Sequence, residues 1–111
     1  MKLPNINSAF IDLNKLQKYS LNPKHDRGKH KSRLFSAILG LDGNDAEWLK
    51  SFILEAIQIY PAVPTLLDEY GQRYAVDFPM TRNQNTANIR TTWIIRPNED
   101  FPRLVSCYIM R

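Results

Sequence analysis

The sequence predicts an α+β fold: N-terminal helices packed on one face of a three- to four-stranded antiparallel meander, as a single domain over 1–111. Two observations carry that expectation. Trp48, Leu49, Phe52, Ile53, Ala56, Ile57 and Tyr60 form a continuous apolar stripe at helical spacing. From Tyr70 onward the period changes to two, with Tyr74, Val76, Phe78 and Met80 alternating with Ala75, Asp77 and Pro79.

Taken in order, Ala9–Ile11 is a candidate additional strand at one edge of the sheet. Asp12 suits an N-cap for a short helix carrying Leu13, Leu16 and Tyr19, which Asn22-Pro23 ends. A polar, basic stretch runs from Lys24 to Arg33. Leu34, Phe35, Ile38 and Leu41 then recur at helical spacing, and Gly40 supplies a stop. Asn44 and Glu47 resemble a capping box for the helix expected over 45–60, which Pro61 closes. The strand around Tyr74–Met80 contains Pro79, which calls for an edge position or a bulge. Arg82–Thr86 reads as a polar turn, Ile89–Arg96 as a central strand, Pro97–Pro102 as a second turn and Arg103–Met110 as the last strand.

Composition narrows the class. Hydrophobic residues make up 43% and charged residues 23%, a globular balance that argues against disorder. No apolar run approaches the roughly 20 residues needed to span a bilayer, and the first residues lack the apolar core of a signal peptide. One cysteine, Cys107, excludes an intramolecular disulfide and a cysteine-based zinc site. A soluble, cytoplasmic protein is expected. Charge is polarised along the chain: residues 1–40 hold eight basic and two acidic groups, 41–70 hold one and six, and 71–111 hold six and three. Such a chain offers one basic surface to an anion and an acidic surface elsewhere.

Both histidines fall in the basic segment Lys24-His25-Asp26-Arg27-Gly28-Lys29-His30-Lys31-Ser32-Arg33. Asp26 suits a cap for the following helix. Lys29, Lys31 and Arg33 then sit in or near its first turn, where the macrodipole disfavours cations. Locally unfavourable choices of this kind concentrate where function requires them, and a lysine-lined helix start suits phosphate. Lys31 precedes Leu34 by three and Phe35 by four, so it projects on the buried side of its helix. The bland reading is a snorkelling lysine, and on the sequence alone it has a slight edge. His25 titrates near neutrality, and neighbouring cations should lower its pKa, as a general base requires; a surface histidine in a polar loop is the commoner case. With two histidines and scattered carboxylates, no metal site is expected.

On the strands, alternation puts Thr91 and Trp93 on one face and Arg90 and Thr92 on the other. It puts Ser106 and Tyr108 opposite Arg103, Val105 and Cys107. Hydroxyls and guanidiniums on an open face suit a phosphodiester, whereas cross-strand pairing would make the same residues purely structural. Trp93 reads as core rather than as a stacking platform.

The motifs Leu21-Asn22-Pro23-Lys24-His25, Gly28, Lys31-Ser32-Arg33-Leu34-Phe35, Tyr70-Gly71-Gln72-Arg73-Tyr74, Arg90-Thr91-Thr92-Trp93-Ile94 and Pro102-Arg103-Leu104-Val105-Ser106-Cys107-Tyr108 resemble those of a family of short bacterial domains of unknown function, often cyanobacterial. The departures, Ser32 for alanine and Ser106 for threonine, are conservative. More distantly, the order of helices with a His…Lys element and then an antiparallel sheet is similar to the barnase, EndoU, colicin and RelE class of ribonuclease toxins. That resemblance implies a cofactor-free, metal-independent endoribonuclease of toxin type, with RNA and a small antitoxin-like protein as partners. His25 would be the base. Lys31 with Arg90 or Arg103 would stabilise phosphoryl charge, and Thr91 and Ser106 would position the phosphate. Lys24, Arg27, Lys29, His30 and Arg33 would bind RNA, and His30, Lys29 or Tyr108 would protonate the leaving oxygen. A noncatalytic nucleic-acid-binding module and a protein-interaction domain are the alternative expectations.

Overall fold

A computed structural model describes residues 1–22 and 29–110, except the side chains of Tyr19, Lys29, His30 and Lys31. Helices come first and strands follow. α1 (Leu13–Lys15) runs on as a π-helical turn, Leu16–Ser20; α2 spans Lys29–Leu39 and α3 spans Ala46–Ile59. The strands are β1 (Ala62–Asp68), β2 (Gly71–Arg82), β3 (Asn85–Ile95) and β4 (Arg103–Ile109). They form one antiparallel sheet in the order β1-β2-β3-β4, the predicted α+β meander. Among the described residues no helix is long and apolar enough to cross a membrane.

The expected helix starts hold in part. Asp12 caps α1 by accepting from the Asn14 N–H at 2.9 Å. The capping box before α3 falls two residues earlier than Asn44 and Glu47. Asp42 accepts from the Asn44 N–H at 2.8 Å, and Asp45 reaches back to the Asp42 N–H at 3.0 Å. A 3-10 turn, Gly43–Asp45, therefore precedes the α-helix. Gly40 ends α2 with φ 65°, and its N–H meets the Ser36 carbonyl at 3.0 Å, the left-handed cap that glycine adopts most readily. Arg82, from the far end of β2, adds to that stop. It donates to the carbonyls of Leu39 and Gly40, pairs with Asp45 at 3.2 Å, and lies over the Trp48 ring. Trp48 therefore borders the helix layer, 38% exposed, while Leu49, Ile53, Ala56 and Ile57 carry the buried stripe of α3.

The helices cover one face of the sheet. Tyr74, Val76, Phe78 and Met80 of β2, Ile89, Thr91 and Trp93 of β3, and Leu104, Cys107 and Ile109 of β4 point into the core. There most of them meet Leu16, Leu21, Phe35, Leu39, Leu49, Ile53 and Ile57. Deeply buried side chains of this size each contribute about 1.5–3 kcal/mol by leaving water, so this layer supplies most of the stabilisation.

β1 was not legible in the sequence. Its first residue, Ala62, is buried and the other six are exposed. Pro64 and the irregular register between Pro64 and Leu67 further break any alternation. β1 pairs with β2 only from Gly71 to Val76, so among the described residues Pro79 lies where β2 has no strand neighbour on that side, the local edge that proline requires. Ala9–Ile11 contributes an isolated parallel bridge, Phe10 to Arg103, against β4 rather than a full strand.

The β2–β3 hairpin turns through Asn83 and Gln84, with φ of 52° and 69°, between the paired Arg82 and Asn85. Two positive φ values define the type I′ turn, for which Asn-Gly is preferred. Gln84→Gly should therefore raise stability by about 0.5–1 kcal/mol, the left-handed penalty relieved less the added chain entropy of glycine. A urea midpoint at or below that of the parent chain would refute it.

Candidate functional site

The face of the sheet that no described helix covers carries polar residues of β2, β3 and β4 in three cross-strand rows. Asp77, Arg90 and Tyr108 form one, Ala75, Thr92 and Ser106 the next, and Arg73, Ile94 and Arg103 the third. Strict alternation along β4 would set Arg103 opposite Ser106 and Tyr108. A bulge corrects that expectation: Thr92 pairs with Ser106 but Trp93 pairs with Leu104, leaving Val105 as the extra residue. The shift keeps Leu104 and Cys107 in the core and brings Arg103 onto the same open face as Ser106 and Tyr108.

Within the first row, Asp77 holds Arg90 in a two-point pair, 2.9 Å to Nε and 2.8 Å to Nη2. The hydrogen bonds that Arg90 donates to Asp77 raise the Arg90 pKa above its ordinary value, the Asp77 charge adds to this, and Tyr108 acts in the same direction. In the second row the hydroxyls of Thr92 and Ser106 are hydrogen-bonded to each other. In the third, Glu99 grips Arg103 at two points, both 2.8 Å, and the guanidinium lies 5.0 Å from the ring centres of Phe10 and Phe101. The Arg103 hydrogen bond holds the Glu99 carboxyl below its usual range, and the same bond raises Arg103. Both arginines are thus oriented by carboxylates.

Thr91 is elsewhere. It is fully buried on the helix side, where its hydroxyl donates to the Val76 carbonyl and accepts from the Trp93 indole N–H, each at 2.8 Å. Thr92 occupies the outward position next to it. Trp93, also fully buried, is core as expected.

On the helix side, α2 packs against β3 and β4. Lys29, His30 and Lys31 form its first residues, with side chains outside the described set, while Ser32 is buried and Arg33 exposed. Lys24, His25, Asp26 and Arg27 lie outside the described residues.

Beyond the third row a cleft of about 550 Å³ opens at the end of the sheet where both the β1–β2 and β3–β4 turns lie. Lys15, Arg73, Arg96 and Arg103 line it together with Asp12, Glu69, Tyr70 and Phe10. Sequence reasoning did not single out Lys15, Arg73 or Arg96. They come from three separate elements, and although Arg73 falls within the motif Tyr70-Gly71-Gln72-Arg73-Tyr74, no spacing in the sequence links the three.

Among curated proteins no sequence matches this chain. Among solved structures it is similar to a chain of the contact-dependent growth inhibition toxin–immunity protein complex from Klebsiella pneumoniae 342. The TM-score is 0.68 at 14% identity, over 90% of this chain and 98% of that one. At such identity the likeness is one of fold. Residues 2–111 match the model of DUF6883, a domain of unknown function, and the chain belongs to that family.

Proposed function

We propose that the chain is a toxin-type, metal-independent endoribonuclease that cleaves RNA by attack of a ribose 2′-hydroxyl on the adjacent phosphorus. The observation that carries this reading is the open sheet face, where the bulge at Val105 aligns Arg90, Thr92, Arg103, Ser106 and Tyr108. The fold shared with a chain of a toxin–immunity complex supports the toxin class and a neutralising protein partner.

In this mechanism His25 takes the 2′-hydroxyl proton, the 2′-oxygen bonds to phosphorus, and the bond from phosphorus to the 5′-oxygen breaks. The leaving 5′-oxygen takes a proton from Tyr108, whose phenol interacts with Arg90 on the open face. Arg90 and Arg103, both on the open face, stabilise charge on the phosphoryl oxygens, commonly the largest catalytic contribution. Lys31, in the first turn of α2 on the helix side, adds to the basic surface that draws in the RNA. Asp77 and Glu99 keep the two guanidiniums charged and fixed in direction. Ser106, with Thr92, positions the phosphate. The product ends in a 2′,3′-cyclic phosphate, and Lys24, Arg27, Lys29, His30 and Arg33 add contacts to the RNA backbone.

The test is incubation of the purified protein with total bacterial RNA in EDTA, beside His25→Ala and Lys31→Ala. Discrete fragments with cyclic phosphate ends, lost with His25→Ala and reduced with Lys31→Ala, are expected. Intact RNA with the parent protein would sink the ribonuclease reading, and salt-sensitive binding without cleavage would leave a noncatalytic RNA-binding module.

A further inference from the structure

We propose that the cleft lined by Lys15, Arg73, Arg96 and Tyr70 is a nucleotide-binding subsite, with phosphate oxygens on the cations and a base on the Tyr70 ring. The proposal names the substrate contact of the open face and takes its ligand class from the RNA reading.

Four observations support it. First, the Nε of Arg73 is buried with no hydrogen-bond partner among the described residues. An orphaned guanidinium N–H is costly to bury, and Nε with an adjacent Nη forms the fork that a phosphate or carboxylate satisfies at two points. Second, cations are in excess around it: Lys15, Arg73, Arg96 and Arg103 line the cleft against the carboxylates Asp12 and Glu69. The neighbouring Glu99 is taken up by Arg103 at 2.8 Å and lies 3.9 Å from Arg96. Third, burial lowers the Lys15 pKa and the charge of Arg96 lowers it further, against the opposing pull of Asp12. An anion between Lys15 and Arg96 would relieve both effects. Fourth, Tyr70 is 63% exposed at the rim, and exposed aromatic rings stack on bases of any kind.

Size and position fit as well. A volume of about 550 Å³ lies within the usual range for small-ligand sites. Arg73 stands two rows from Arg90 along the same face, about 14 Å at strand spacing. An RNA strand lying over Arg90 and Ser106 would therefore reach the cleft with a nucleotide further along the strand. The same chemistry would accept a free mononucleotide.

The test is binding rather than cleavage, using a fluorescent single-stranded RNA blocked by 2′-O-methyl groups, with AMP and inorganic phosphate as separate probes. The parent protein is compared with Arg73→Gln, Lys15→Gln and Tyr70→Ala, each first shown by thermal melting to be folded. Arg73→Gln and Lys15→Gln should each weaken oligonucleotide binding about tenfold, the loss of one charge-assisted contact. AMP should shift the backbone amide signals of Tyr70, Arg73 and Asn98 in the parent protein. Folded variants that bind the oligonucleotide as tightly as the parent would overturn the subsite, and so would AMP leaving those amides unmoved. If the parent cleaves RNA while these variants bind normally, the subsite falls and the ribonuclease stands. If RNA stays intact but the oligonucleotide and AMP bind through Arg73, the subsite stands and the ribonuclease falls. AMP binding through Arg73 without the oligonucleotide would support the cleft with a free nucleotide as its ligand, whereas response to inorganic phosphate alone would overturn a site for nucleotides.

Discussion

Gly71→Ala should unfold this protein well below the melting temperature of the parent. Gly71 opens β2 directly after the two-residue turn from β1 and adopts a φ of 130°, a conformation L side chains rarely reach. A methyl group there would lie 2.1 Å from the Ile95 carbonyl oxygen, 2.9 Å from the Ile95 carbonyl carbon and 3.1 Å from the Arg96 Cα. All three atoms are backbone, so no side chain can swing aside. The end of β3 or the β1–β2 turn must move, and either shift disturbs the pairing of Gln72 with Ile95. Strain at φ together with this clash should cost about 3 kcal/mol or more, a large share of the roughly 5–15 kcal/mol that holds a domain folded. In thermal melts followed by circular dichroism, the midpoint should fall on the order of 10 °C. A midpoint within about 3 °C of the parent would show that the sheet end yields cheaply. Serine should behave like alanine, because the obstacle is the Cβ itself.

How far this architecture could be read in advance depended on whether its signals were local. The α3 stripe and the alternation of Tyr74, Val76, Phe78 and Met80 are local and strong, and both stand in the structure. β1 carries no such signal because six of its seven residues face solvent, so pairing with β2 rather than a buried face defines it. The capping box slipped from Asn44 to Asp42 because the pairs Asn44–Glu47 and Asp42–Asp45 both fit the motif and only backbone geometry separates them. On the candidate face the limit was register. The pairing of Asp77 with Arg90 and the bulge at Val105 both depend on how strands align, which a period of two leaves open. The cleft residues were the hardest to foresee. Lys15, Arg73 and Arg96 each look like an ordinary surface cation in sequence, and their shared environment arises only when α1, β2 and the β3–β4 turn meet.

Thr91→Val, nearly equal in shape, should destabilise the fold by about 2 kcal/mol, because it leaves a buried donor without an acceptor. The Thr91 hydroxyl is the middle of a chain in which the Trp93 indole N–H donates to Oγ1 and Oγ1 donates to the Val76 carbonyl. Thr91, Trp93 and Val76 are each fully buried, so water cannot replace the lost oxygen without opening the core. Thr91→Ser keeps the hydroxyl and loses only a methyl group, so its loss should be nearer 1 kcal/mol. Trp93→Phe gives the decisive comparison. It will be destabilising in its own right, but it removes the donor that Thr91→Val would orphan. Threonine-to-valine should therefore cost clearly less in the Trp93→Phe background than in the parent, a coupling that a double-mutant cycle on urea midpoints measures directly. Equal costs in both backgrounds would mean that the hydroxyl does not serve the indole. The hydroxyl would then have to be explained by the carbonyl of Val76 alone. A measured coupling would make Thr91 a strut fixing β3 against β2 from the core side, and so a positioning residue for Arg90 and Thr92, which lie on either side of it in the chain and face outward.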